Sequence, residues 1–444
     1  MGARAEPITT PAGSPVGRRL RDVRSLVAAH PWLVLVPFLA VFVAVPLLAP
    51  ANANLYDDEA GYLGLAKNLA HGHYLTGRDD AVAPSSQYPN LWFGPGLPLV
   101  LTPFVALHVP LTATRMLGPL FLFLAVLLFY GLLRISLPQR LAVAGAAALA
   151  LYIPFYTVIA FLHSEALAVF LVVATMYGTA LYLREGRMRH LAIAGAALGS
   201  LALTKVVFGW IATILLAVFL VAWAFRRSAP LRRLVLVPVL ALVVSVPWLA
   251  YTFSVTDKPF YWGSSAPLSL YWMSSPRSAD RGDWHGADSV FRDERLASHR
   301  PFFRSLIGLD LQQQNRAFRH AALQNIRHEP LKYVENVLAN ISRMLFNAPY
   351  SFKRPKPTAL VYALPNAILL GALAASLARA RRRRARWSVE AFAFASLAVV
   401  GFGLQALFSA YPRFLFPLVP VAVWFVLQAF GSRDELNPGV TANA

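Results

Sequence analysis

Apolar residues run through this chain in long blocks, separated by short polar stretches. The block "HPWLVLVPFLAVFVAVPLLAP", residues 30–50, sets the pattern. A run of about 20 apolar residues crosses a bilayer as a helix. The pattern predicts spans near 30–49, 141–161, 164–183, 191–203, 206–225, 234–252, 358–378, 389–408 and 414–430. Residues 95–133 are almost wholly apolar. They hold either one span with a dipping segment or two short spans broken near "HVPLTATR". The fold class this implies is an all-α polytopic membrane bundle of about ten to twelve helices.

Between the blocks lie "GRRLRDVR", "REGRMRH", "FRRSAPLRR" and "ARARRRRARW". Short basic loops mark the cytoplasmic side of a membrane protein. The net charge of +20 therefore reads as an orientation signal, not as a nucleic-acid surface, and no nucleic-acid partner is expected. With the first cluster inside, the first span delivers the chain to the outer face and both termini lie inside. The first 30 residues lack the short apolar core and small-residue cleavage site of a signal peptide, so an uncleaved first span is expected. Five segments follow: a basic cytoplasmic tail (1–28), a transmembrane catalytic module (29–252) containing an external loop (50–93), an external loop with interfacial helices (253–357), C-terminal transmembrane helices (358–431), and a cytoplasmic tail (432–444).

Composition agrees: 57% of residues are hydrophobic and 14% charged, where a soluble domain carries about a quarter charged residues. There is no cysteine, which excludes disulfides and thiolate metal sites. No Gly-rich phosphate loop is present, and "GPG" at 94–96 is a turn signal.

A few charges stand apart from the basic loops. Asp57, Asp58 and Glu59 follow directly on the first span, and Glu165, Lys205 and Arg413 fall near the outer ends of their helices. Ionisable groups at membrane depth are costly and usually line a cavity or pair with one another. Each also has a plainer reading. Glu165 in "HSEAL" suits a helix start, Lys205 can snorkel to the interface, and Arg413 suits a lipid headgroup. A shared outward cavity accounts for all of them together. His71, His73 and His163 lie near the same face without a zinc-type pattern, and read as surface polar residues.

Several stretches carry a resemblance: "DDEAGYLGLAKNLAHGHYL", "FGPGLPLVLTPF", "HSEALAVFLVVA", "GAALGSLALTK" and "SAYPRFLFPLVP". In this order the chain resembles the membrane-embedded GT-C glycosyltransferases, near the aminoarabinose-to-lipid A and protein O-mannosyltransferase branches. Where aminoarabinose transferases carry an acid and a lysine before the second span, this chain has Trp92 and Phe93. The resemblance implies a GT-C-type bundle with external loops. It implies transfer of a sugar from a polyprenyl-phosphate donor to a lipid, glycan or protein hydroxyl at the outer face of a bacterial inner membrane.

By position, the resemblance makes Asp58 the candidate catalytic base, with Glu59 and Glu165 in support. Lys205 and Arg413 become candidate contacts to the donor phosphate, where fixed cations stabilise the leaving group. Tyr62, Tyr261 and Trp262 are candidate substrate contacts, although Tyr261, Trp262, Tyr271 and Trp272 equally suit an interfacial belt. Asp58 and Glu165 also suit a divalent cation such as magnesium or manganese. The rival function is a transporter or lipid flippase, which predicts charges nearer the midplane and internal repeats.

Overall fold

The computed structural model describes residues 29–49, 55, 58–74, 91–383 and 387–431. The basic tail 1–28, Asp57, the irregular stretch 75–90 and the tail 432–444 lie outside the described residues. Among the described residues the secondary structure is entirely helical. Among the described residues, eight helices are long and apolar enough to cross a membrane.

In chain order the helices begin with α1 (Val36–Leu48), α2 (Glu59–Ala70), α3 (Gly96–Ala106), α4 (Leu117–Arg134) and α5 (Gln139–Ala150). The bundle continues through α6 (Ser164–Glu185), α7 (Met188–Thr204), α8 (Val207–Arg226) and α9 (Ala229–Thr256). The layer expected from sequence to be external holds α10 (Ser265–Met273), α11 (Ala287–Arg292), α12 (Arg300–Ser305), α13 (Leu311–His328) and α14 (Pro330–Phe346). Three more helices close the bundle: α15 (Leu360–Arg382), α16 (Val389–Leu407) and α17 (Val419–Gly431).

The eight long spans are fewer than the ten to twelve expected. Residues 95–133 supply a single long span, Leu111–Arg134, preceded by the short apolar α3. The span expected over 141–161 ends at Ala150 and gives way to a 3₁₀ turn at Ile153–Thr157. Pro154 explains this, since proline lacks the N–H a helix needs and bars its predecessor from the helical region. Helix α7 is also short but remains in the bundle.

Bonds between loop-proximal ends gather the basic termini on one face. Arg184 donates to the Ile135 carbonyl at 2.9 Å and pairs with Glu390 at 3.6 Å. Arg233 donates to the Leu183 carbonyl at 3.2 Å, and Arg379 to that of Ala429 at 3.0 Å.

Helix α6 is apolar around most of its circumference and buried along most of its length, as a central helix must be. Small residues let α7 approach its neighbours closely. A Cβ added at Gly199 meets Val244 of α9 at 2.7 Å, and one at Gly178 of α6 meets the Ala194 backbone at 2.7 Å. Helices in lipid associate through such close approach, because apolar side chains gain little by leaving lipid.

The external layer has a hydrophobic cluster of its own, built on Leu268, Trp272, Val290, Phe303 and Phe318. Helix α13 starts with a capping box: Gln313 N donates to Asp310 Oδ1 at 2.7 Å, and Asp310 N to Gln313 Oε1 at 3.0 Å. Helix α14 turns polar residues inward, with Asn336, Asn340 and Arg343 fully buried. It is therefore a clamp and not a span. Asn340 donates to the carbonyls of Gln405, Ala406 and Phe408, and Arg343 to those of Ala410, Arg281 and Pro349. This ties the external layer to the turn that carries Arg413.

Candidate active site

A cavity of about 1010 Å³ lies between one end of the bundle and the layer that covers it. Its charged end is assembled from four separated stretches. Asp58 sits at the N-cap of α2, and His163, Ser164 and Glu165 at the start of α6. Lys205 is the C-cap of α7, and Arg413 lies in a 3₁₀ turn at Pro412–Leu418.

These side chains form one network. Arg413 pairs with Asp58 Oδ2 at 2.8 Å and stands 3.7 Å from Glu165 Oε1. Its Nη1 also donates to His163 Nδ1 at 2.9 Å. Lys205 Nζ donates to Glu165 Oε1 at 2.9 Å and lies 5.1 Å from the Phe414 ring centroid. Glu165 is 2% exposed and Asp58 7% exposed. Carboxylates so buried must be paired, because an uncompensated charge there costs several kcal/mol.

Local structure holds each member in place. The Tyr62 hydroxyl donates to Ser164 Oγ at 3.0 Å, joining α2 to the start of α6. Burial, reinforced by the Asp58 and Glu165 carboxylates, pushes the Tyr62 phenol well above its ordinary value, so it stays a neutral donor. A Cβ at Gly96 would fall 2.3 Å from Thr204 Oγ1, so "FGPG" packs directly on the turn that presents Lys205. Arg413 is fixed from outside by the α14 clamp on residues 405–410. The cavity's flank is apolar and aromatic, through Trp210, Ile214, Leu404 and Phe408, and it reaches the surface at Trp210, which is 45% exposed.

The family model for dolichyl-phosphate-mannose-protein mannosyltransferase matches residues 93–251. No curated protein sequence matches the chain. Among solved structures, the Archaeoglobus fulgidus oligosaccharyltransferase in its apo form is 16% identical, with a TM-score of 0.52 over 91% of this chain and 51% of that one. The same enzyme tethered to an acceptor peptide gives 16% identity and a TM-score of 0.51, over 90% and 50%. The chain thus spans about half the length of these solved proteins. The fold is the GT-C fold.

Within this GT-C fold, Asp58, Lys205, Arg413, Tyr62 and Trp262 all line the cavity, and Glu165 stands behind its wall in contact with both cations. Two expected residues lie elsewhere. Glu59 is fully buried beside α2, where Arg115 Nε and Nη2 donate to its two oxygens at 2.9 and 2.8 Å and Leu162 N donates at 2.8 Å. It does not line the cavity. Tyr261 faces the external layer and accepts from Asn315 Nδ2 at 2.9 Å. Tyr271 and Trp272 belong to the external cluster rather than the cavity wall.

His163, read from sequence as a surface polar residue, is buried in the network. Its adjacency to Ser164 and Glu165 was the available signal. Arg115 is not among the residues singled out by sequence; the signal was that it is the sole Lys or Arg in the apolar run 93–133, where an ionisable residue demands a partner.

The divalent cation expected at Asp58 and Glu165 does not suit the donors present. Each of those carboxylates already faces one or two side-chain cations, which occupy the ground a metal would take. Among the described residues no group of three or more His, Asp and Glu is placed to hold an ion.

Proposed function

We propose that this protein transfers a sugar from a polyprenyl-phosphate donor to a hydroxyl acceptor, with the reaction at the outer, non-cytoplasmic end of the bundle. The observation that carries this is the convergence of Asp58, Glu165, Lys205 and Arg413 on one end of an apolar-flanked cavity in a GT-C fold. The family match to a dolichyl-phosphate-mannose-dependent enzyme supports a lipid-phosphate donor. Charges gathered at one end, rather than along a path through the midplane, favour transfer over transport.

In this reading the acceptor oxygen attacks the anomeric carbon as the bond to the phosphate oxygen breaks. The bonding pair leaves with the phosphate, and the acceptor's proton passes to the Asp58 carboxylate. Lys205 and Arg413 meet the charge that grows on the phosphate. Arg413 is shared: a phosphate seated beside it competes with Asp58 for the guanidinium. Glu165 holds Lys205 and Arg413 at the spacing one phosphate needs. Trp210, Ile214, Leu404 and Phe408 give the isoprenoid tail an apolar bed.

The test is turnover of a panel of polyprenyl-phosphate sugars by the purified protein in lipid nanodiscs, read as release of polyprenyl phosphate. Asp58→Asn should lower turnover by about 10²–10⁴-fold while donor affinity changes far less. Lys205→Ala should weaken donor affinity. A parent protein that consumes no donor in the panel, or an Asp58→Asn variant as fast as the parent, overturns the reading.

A further inference from the structure

His163 lines the cavity beside the charged network, and its protonation state follows from its partner. A guanidinium has only donors. With Arg413 Nη1 at 2.9 Å from His163 Nδ1, that ring nitrogen must be the acceptor. A doubly protonated ring would set two N–H groups and two cations against each other at this distance. The ring is therefore neutral, and its one proton is on Nε2. The rest of the surroundings agree. Glu165 Oε2 lies 3.7 Å from the same Nδ1, beyond hydrogen-bond reach, and has no hydrogen-bond partner among the described residues. A protonated Nδ1 would instead have turned its N–H to that oxygen.

The side chain is 6% exposed, and it lines the cavity. With Nδ1 engaged, the one polar group it has to offer a ligand is the Nε2–H. A neutral donor next to two fixed cations matches an anionic oxygen. It does not match a metal or an ammonium group. We propose that His163 is a catalytic residue that donates its Nε2–H to the phosphate of the polyprenyl donor, and that Arg413 sets the tautomer which makes this possible. The proposal rests on the glycosyl-transfer reading above. The histidine does not carry a proton between groups: its N–H stays on Nε2 while the anomeric C–O bond breaks and negative charge builds on the phosphate. A donor already aimed at that charge lowers the barrier without reorganisation. Arg413 thereby serves twice, once at the phosphate and once through the imidazole.

Two amide substitutions separate this role from a merely structural one. His163→Asn retains an acceptor near the position of Nδ1, so Arg413 keeps a partner, but it cannot reach where Nε2–H lies. His163→Gln extends an amide N–H to about the Nε2 position. The proposal expects the Gln variant to retain more turnover than the Asn variant, with His163→Asn slowed by about 10²–10³-fold, the usual loss for one transition-state donor. The opposite order, with Asn the better replacement, shows that His163 only anchors Arg413 and overturns the proposal.

A second arm does not depend on turnover. Histidine-labelled protein in nanodiscs is examined by ¹⁵N NMR at neutral pH, the His163 signals being assigned by their loss in His163→Asn. An Nε2–H ring with an unprotonated Nδ1, whose Nε2 signal moves on addition of farnesyl phosphate, is the expected result. An imidazolium or an Nδ1–H ring overturns it, as does an Nε2 signal that farnesyl phosphate leaves in place. If the parent turns over no donor while this arm succeeds, the glycosyl-transfer reading fails and the phosphate contact stands.

Discussion

Replacing Arg115 by alanine isolates the pair that seats α2 against the turn leading into α4. In the parent, Glu59 is 0% exposed and takes two charge-assisted bonds from Arg115, at 2.9 and 2.8 Å, and one from the Leu162 amide at 2.8 Å. Of these three bonds the variant keeps the one from the amide. Two bonds to a charged group are together worth roughly 3–6 kcal/mol. Removing one partner of a buried pair costs roughly 3–5 kcal/mol. The two routes agree at about 3–5 kcal/mol, or roughly a hundred- to several-thousand-fold in the folding equilibrium. The Arg115 contact with the Phe161 ring, 5.3 Å from its centroid, is lost as well.

The assay is thermal and denaturant unfolding of the detergent-solubilised protein, followed by tryptophan fluorescence. The control is the double variant Glu59→Leu, Arg115→Met. It removes both charges and fills the space with apolar groups, which for buried pairs is often neutral or stabilising. The double variant should therefore be markedly more stable than Arg115→Ala. If Arg115→Ala unfolds with the parent, or if the double variant is as damaged as the single one, Glu59 is not the buried, paired carboxylate described here.

Three further outcomes are expected. Gly209→Ala places a Cβ 2.1 Å from the Trp262 indole, which overpacks the cavity wall at a cost of about 1–3 kcal/mol; an unchanged Trp environment and unchanged affinity for farnesyl phosphate count against this. In the external layer, burial raises the Asp280 carboxyl, but hydrogen bonds from His299 and Ser275 outweigh it and hold it below its ordinary value. A depressed carboxyl contributes stability above its unfolded value, about 3.9, and loses it as pH falls through the folded value. Stability should thus fall below about pH 4, and Asp280→Asn should flatten that fall in unfolding curves taken from pH 7 to 3. Finally, the chain has no cysteine, so single cysteines at Arg292 and Arg187, with side chains 84% and 60% exposed, report sidedness directly. A membrane-impermeant maleimide should label position 292 on intact cells and position 187 only after the membrane is opened, and the reverse pattern inverts the topology.

The sequence by itself determined the class of the fold and which isolated charges gather at one end of the bundle. Long apolar blocks require helices, since only a helix satisfies its own backbone in lipid, and basic loops alternate with them in a way that fixes which ends lie together. Asp58, Glu165, Lys205 and Arg413 were legible because charge in an apolar block is conspicuous. Which of them touch was not legible. Asp58 and Glu59 are neighbours in sequence, yet one turns into the cavity while the other turns to Arg115, because the N-terminal residues of a helix point in different directions around its axis. Arg413 meets His163 across a sequence separation of 250, and its place depends on Asn340 and Arg343 of α14 holding the 405–410 backbone. The inward polar face of α14 and the short helix before Pro154 were equally a matter of packing. Local pattern fixes a residue's element and its depth in the membrane; partners distant in the chain are chosen by the tertiary structure, because only there do buried charges find each other.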